Sequence, residues 1–141
     1  MKKIIGYIVI GSIILFGLIQ LVPYGRNHNN PAVVAEPQWD SPATRDLAVR
    51  ACYDCHSNET VWPWYANIAP VSWMVQHHTD EGRGELNLSE WGVRPYEIDD
   101  LSESIIEGEM PMRSYLITHA EARLTDAEKQ QLIDGLDATF R

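Results

Sequence analysis

RACYDCHS, residues Arg50 to Ser57, contains the only two cysteines of a 141-residue chain and places a histidine directly after the second. A Cys-x-x-Cys pair serves three chemistries: a redox dithiol, one half of a zinc site, and covalent attachment of a c-type haem, which takes a histidine at the next position. Each makes a different demand on the rest of the chain, so the surroundings decide among them.

Residues 4–22, IIGYIVIGSIILFGLIQLV, carry no charge. As a helix this run reaches roughly 29 Å at about 1.5 Å per residue, close to the hydrocarbon thickness of a bilayer. It is apolar on every side, unlike a helix that covers a soluble core. Gly6, Gly11 and Gly17 do not follow the four-residue spacing of a helix-pairing stripe. Lys2 and Lys3 precede the run and put the N-terminus in the cytoplasm, with everything after residue 25 outside. The rival is a cleaved signal peptide with VVA at 33–35 as its cleavage site. The run is longer than an ordinary signal core and that site is distant, so residues 1–25 read as an uncleaved single-pass anchor. Both readings export the remainder.

Setting Lys2 and Lys3 aside leaves nine basic residues against 20 acidic ones, a net charge of −11 on the exported part. Such a surface repels phosphate backbones, so no nucleic-acid partner is expected. Residues 26–41 hold Pro31, Pro37 and the NHNN tract with no apolar period, and read as an extended Pro-rich tether that includes His28. Residues 42–141 then form one small domain.

Ser41-Pro42 is a capping residue followed by proline at the first helical position, and Ala43, Leu47, Ala48 and Ala51 recur at helical spacing up to the cysteines. That helix presents Cys52 and Cys55 on one face. An aromatic loop, VWPWYANIAP, precedes a second helix from Ser72 to about Glu81, stopped near Gly82 and Gly84. A third is expected from Tyr96 to Glu107, with Ile98, Leu101 and Ile105 as its stripe and Gly108 as its stop. Two capping boxes follow, Thr118 with Glu121 and Thr125 with Glu128. The second opens a terminal helix that buries Leu132, Ile133 and Leu136. No alternating run of strand length appears, so the fold class is all-α.

A thioredoxin-like dithiol belongs at the end of a strand in a βαβ unit, and none is evident here. A zinc site needs two further ligands; the candidates are the adjacent His77-His78 pair, which point apart on a helix and do not readily supply both, or His119. A disulfide across so short a ring contributes little. Haem attachment uses every residue of CYDCH: Cys52 and Cys55 form thioethers, His56 is the proximal iron ligand, and the exported location suits the chemistry. One covalent haem c is therefore expected.

The blocks CYDCHSNET, WPWYANIAPVSW, HTDEGR, LNLSEW, GEMP, SYLITHAEARLT and EKQQLIDGL resemble those of the small membrane-anchored monohaem c-type proteins of bacteria that share a haem-binding domain. The resemblance covers residues 48 to 134 and implies a monohaem cytochrome module without naming a substrate. The chain departs from the family's usual pattern at Leu88, where an aromatic is common, and at Met112.

For the other face of the iron, Met110-Pro111 in the GEMP block resembles the ligand loop of small c-type cytochromes, and a thioether raises the potential relative to a second histidine. The alternatives are His78 and Met112; Met74, His77 and His119 read as packing or surface residues. Trp62, Trp64 and Trp73, with Tyr65 and Trp91, are expected to wall the porphyrin. Pro63 or Pro70 is expected to supply a carbonyl to the second ring nitrogen of His56. The reading is a membrane-anchored electron carrier with His56 and Met110 as ligands, rather than an enzyme, acting with redox partner proteins that the sequence does not name. The alternative is an open-site haem protein acting as a peroxidase or as a gas or redox sensor, and a third reading is a thiol oxidoreductase.

Overall fold

The computed structural model describes residues 1–98 and 101–140. They fold into seven α-helices, and no strand forms among the described residues; Ala35 and Glu90, and Trp91 and Arg94, make isolated bridges. The all-α expectation holds. Helix α1, Lys2–Ile19, buries none of its residues against protein and is apolar enough to cross a membrane.

Helix α2, Pro42–Ala51, starts as its sequence demands: Pro42 sits at the first turn and the Ser41 hydroxyl accepts from the Thr44 N–H. Its face of Thr44, Leu47, Ala48 and Ala51 is buried. The face packs against the terminal helix α7, Asp126–Phe140, which buries Leu132, Gly135 and Leu136, with Ile133 packed at the margin. A Cβ at Gly135 would overlap the Thr44 side chain, so glycine sets the approach of the two helices. The Thr125–Glu128 box forms: the Glu128 N–H donates to Thr125 Oγ1 and the Thr125 N–H to Glu128 Oε2. Arg50 on α2 reaches the same carboxylate at 2.6 Å.

Helix α2 ends at Cys52, whose backbone (φ −124°, ψ −35°) leaves helical geometry. The chain restarts at once as the single turn α3, Tyr53–His56, with the N–H groups of Cys55 and His56 both donating to the Cys52 carbonyl. The two cysteines thus lie on either side of a helix break rather than on one continuous helix.

Helix α4, Val71–Glu85, runs through both glycines that were expected to end it. Gly82 serves contact instead: a Cβ there would lie 2.5 Å from the Cys55 carbonyl oxygen and 2.9 Å from Cys55 Cβ. A bare backbone at Gly82 therefore lets α4 press on the motif, whereas Gly84 faces open space. The third expected helix is shorter, α5 being Leu101–Ile106, while Asp99 and Asp100 lie outside the described residues and 96–98 are not helical. Gly108 ends it with φ +73°, a conformation glycine adopts freely. Helix α6, Arg113–Leu116, is a single turn. The Thr118–Glu121 box does not form: Thr118 Oγ1 bonds within its own turn and accepts from the Tyr65 hydroxyl, and a 3-10 turn spans Ala120–Ala122.

Residues 26–41 lie along the domain as a strap. Asn58 donates to the Ala32 carbonyl, the Val34 N–H to Ser89 and the Trp91 N–H to Ala35, while Glu36 pairs with Arg45 at 2.7 Å and accepts from the Tyr53 hydroxyl. The prolines remove competing donors from this segment but do not keep it away from the surface.

Gly82→Ala adds an atom where backbone already sits, so thermal unfolding by circular dichroism should show a loss of about 1–3 kcal/mol. Gly84→Ala, with open space around it, should instead gain up to about 1 kcal/mol of helix propensity. The Glu128 carboxyl is held down at about 2 by the Thr125 N–H and by Arg50. A depressed carboxyl stabilises the fold above its unfolded value and loses that contribution as pH falls. The acid-unfolding curve of Glu128→Gln should therefore be flatter than that of the unsubstituted chain between about pH 4.5 and about 2.

Candidate functional site

His56 is fixed by a segment 30 residues away. Its Nδ1–H donates to the Leu86 carbonyl at 3.2 Å, and its own carbonyl accepts from the Leu88 N–H at 2.8 Å. A carbonyl can only accept, so the proton resides on Nδ1 and the neutral ring keeps its lone pair on Nε2. Burial lowers the His56 pKa, opposed by the bonds to Leu86 and Gly82. The neutral imidazole is the form that ligates a metal. Pro63 and Pro70 do not supply the partner carbonyl; LNLSEW does.

That segment is itself held by a buried polar network. Asn87 donates to Asn58 Oδ1 at 2.9 Å, the Asn58 N–H donates to Ser89 Oγ, and the Ser89 N–H donates to Asn87 Oδ1. Arg83 of α4 donates to the Ser57 carbonyl and to Thr60. Asn58 and Ser57, directly after the motif, are almost completely buried, which explains polar residues in so confined a place: each satisfies a backbone group.

Cys52 and Cys55 are both free thiols. Burial pushes the Cys52 thiol up to about 12 and that of Cys55, with the Asp54 charge adding to burial, up to about 11. A reactive dithiol or a thiolate metal ligand needs the opposite shift. Among the described residues no three His, Cys, Asp or Glu side chains converge as a metal-binding group. These residues therefore present neither the depressed thiol of a redox pair nor a ready-made set of zinc ligands.

Three cavities adjoin at the motif. One of about 350 Å3 is bordered by Cys52, Cys55 and His56 from one side and by His78, Met110 and Met112 from the other. A second of about 530 Å3 continues past Cys52, His56 and Met110 towards Leu88, Tyr96, Ile105 and Phe140. The third, of about 240 Å3, continues past Cys55, His78 and Met112 towards Tyr65, Val71 and Met74. Together they form a largely apolar cleft across both thiols. All three candidates for the far ligand, Met110, Met112 and His78, border the same cavity as His56. Met110 also borders the second. The GEM tract is held to α5 by the Glu109 and Met110 N–H groups, which both donate to the Ser104 carbonyl. His77 turns outward and pairs with Glu81 at 3.2 Å.

The tryptophans expected as walls lie elsewhere. Trp62 stacks on His28 at 4.6 Å and donates to Asn30, which fastens the strap. Trp64 is 76% exposed, Trp73 is half-buried, and Trp91 stacks on Phe140 at 4.7 Å. None of these four lines the cleft; tyrosines and aliphatic residues do.

Asp54, one of the two residues between the cysteines, forms a contact that spacing alone does not reveal. It accepts from the Tyr115 hydroxyl at 2.7 Å, and the Tyr115 ring stacks on His119 at 3.8 Å. His119 Nδ1 donates to the Tyr115 carbonyl at 3.0 Å and its Nε2 lies 3.9 Å from Asp54. Burial and then the Asp54 bond raise the Tyr115 hydroxyl well above its ordinary value. This clamp ties the loop bearing Met110 and Met112 to the motif. Tyr115→Phe keeps the ring and the stack but removes the donor, at a cost of about 1–3 kcal/mol. It should lower the melting temperature and speed amide exchange over residues 110–119; unchanged exchange there would show that the clamp does not hold the loop.

The profile of the haem-binding domain matches residues 14–138, from within α1 almost to the end of α7. No curated protein and no solved structure matches the chain. Two protonated thiols and a neutral, oriented imidazole along an apolar cleft suit a haem, which needs apolar walls, an uncharged nitrogen ligand and, for thioether attachment, thiols. With the match extending over most of the chain and the cleft meeting these demands, this is a protein of the haem-binding domain family.

Proposed function

We propose that the protein is a membrane-anchored electron carrier holding one covalent c-type haem, with Cys52 and Cys55 as thioether attachments, His56 as proximal ligand and Met110 as distal ligand. The observation that carries this reading is the His56–Leu86 hydrogen bond, which leaves Nε2 with its lone pair at a cleft bordered by both thiols. Each thiol would add its sulfur and its hydrogen across one vinyl double bond, an addition that needs no oxidant. The high thiol pKa values keep S–H intact until then. When bound, the haem supplies a one-electron couple. The chain's own groups set its conditions: Leu86 makes His56 a stronger donor, and the Met110 sulfur, a soft ligand, favours the reduced metal. Met110 is preferred to His78 and Met112 because it borders both cavities that contain Cys52 and His56.

The anchor in this reading is the uncharged run of α1 that follows Lys2 and Lys3, and with those lysines on the cytoplasmic side the domain would lie outside the cytoplasmic membrane of a bacterium. Protease added to spheroplasts should release the domain and leave the N-terminal segment in the membrane, whereas a mature chain beginning near Glu36 would mean that α1 is a signal peptide.

Protein made in a host that matures c-type cytochromes should keep one haem mass after denaturation and reduction; haem extracted by acid-acetone would rule out thioether attachment. Met110→Ala should abolish the weak far-red thioether-to-iron band of the ferric protein, lower the potential and admit carbon monoxide, while Met112→Ala leaves all three nearly unchanged. If His78→Ala causes these losses, the ligands are two histidines. An unsubstituted protein already five-coordinate would favour a peroxidase or a gas or redox sensor.

A further inference from the structure

Residues 61–76, VWPWYANIAPVSWMVQ, form the longest uncharged stretch outside α1 in a chain of net charge −9. They are not buried to match. Val61 is 75% and Trp64 76% exposed, and Ile68 and Val71 are also exposed. A soluble surface has little reason to present a bare tryptophan among branched aliphatics with no charge between them.

The end of α1 is fastened to this stretch. The Gln20 side chain, one residue past the helix, makes a two-pronged contact with one peptide: its amide donates to the Ala69 carbonyl at 2.9 Å and its oxygen accepts from the Ala69 N–H at 3.0 Å. Gly25, with φ +75°, lies so close to the Ser72 backbone that a Cβ would overlap it. His28 bonds both the Gly25 and the Ala66 carbonyls, at 3.1 and 3.2 Å. The chain between helix and domain is thus pinned over residues 66–72 and does not swing freely.

The uncharged run ends at Val22, so a spanning α1 puts Gln20 at the outer edge of the hydrocarbon. Whatever touches Gln20 then lies within the polar layer, which adds about 5–8 Å on each side of the core. Tryptophan is enriched at that depth because its ring is apolar and its N–H polar. We propose that the 61–71 loop is a membrane-docking face, with Trp64 seated in the headgroup layer of the bilayer that α1 crosses. This rests on the reading of α1 as an anchor. The occupant is a phospholipid surface rather than a protein because the fastening to the helix end fixes the loop at that height, and because the acidic remainder of the domain disfavours anionic lipid on its other faces. One consequence concerns the haem site: the cavity beside Cys55 is walled by Val61, Tyr65 and Val71, so that edge of the site is held next to the membrane.

The test uses the full haem-loaded chain in phosphatidylcholine nanodiscs, with the photo-crosslinking residue p-benzoylphenylalanine replacing Trp64, Ile68 or, as a control on α7, Gln130. After illumination, mass spectrometry should find one phosphatidylcholine added at position 64 and at position 68, and none at 130. Using two sites in the loop guards against one variant failing to fold, and retention of the haem absorbance identifies the folded chain. Chain that stays in the discs but gives no lipid adduct at either site overturns the docking face while leaving the anchored-carrier reading intact. Cross-links at 64 to a second copy of the chain, without lipid, overturn it in favour of self-association. Chain that elutes apart from the discs removes the anchor and this inference with it.

Discussion

The carbonyl of Leu86 is the constraint on which the site depends. By accepting the Nδ1 proton of His56 it decides the tautomer, the ring orientation and the availability of Nε2. The same segment returns a bond, the Leu88 N–H donating to the His56 carbonyl, so that the imidazole and its own backbone are gripped from one side. Such an arrangement is sound only if the segment cannot move, and buried Asn58, Asn87 and Ser89, linked in a ring of side-chain and backbone N–H bonds, provide that rigidity. Buried polar groups cost stability unless each finds a partner, and here the partners are one another and the strap.

Around this grip the fold is arranged as two packed pairs. Helices α2 and α7 meet across Thr44 and Gly135 and supply the buried leucines. Helix α4 lies on α3 with Gly82 against Cys55. The break at Cys52 connects the pairs, and the cleft opens where they diverge. The core is correspondingly small: fully buried large side chains are few, and many buried positions are alanine, serine or threonine. A domain with so little apolar burial of its own gains from whatever fills its cleft, since a ligand bound to the folded state alone stabilises that state.

Charge is distributed to the same end. The acidic excess lies after residue 35, while residues 61–76 are uncharged. The strap and the 61–71 loop meet through His28, Asn30 and Trp62. The connection between helix and domain is therefore hydrogen-bonded to the domain along its length. What composition reads as a tether becomes part of the packed structure because its few side chains each find a backbone partner.

Much of this protein is legible in order along the chain. The uncharged run, the Ser41-Pro42 start, the Thr125–Glu128 box and the CYDCH motif all depend on residues within a few positions of each other, so spacing alone carries them. The tertiary structure decided the rest. The partner of His56 lies 30 residues away and that of Asp54 61 residues away, and no local pattern names either. Glycine is ambiguous in the same way. At Gly108 it ends a helix through a positive φ, whereas at Gly82 it stays helical and admits a neighbouring backbone. Tryptophans carry no address at all: apolar area favours burial of Trp62, Trp64 and Trp73 near a porphyrin, but Trp62 stacks on His28 and Trp64 is exposed, while Val61, Tyr65 and Val71 of the same stretch line the cleft. Sequence determined which groups do chemistry because reactivity belongs to the residue, and the fold determined what each of them touches because contact belongs to the packing.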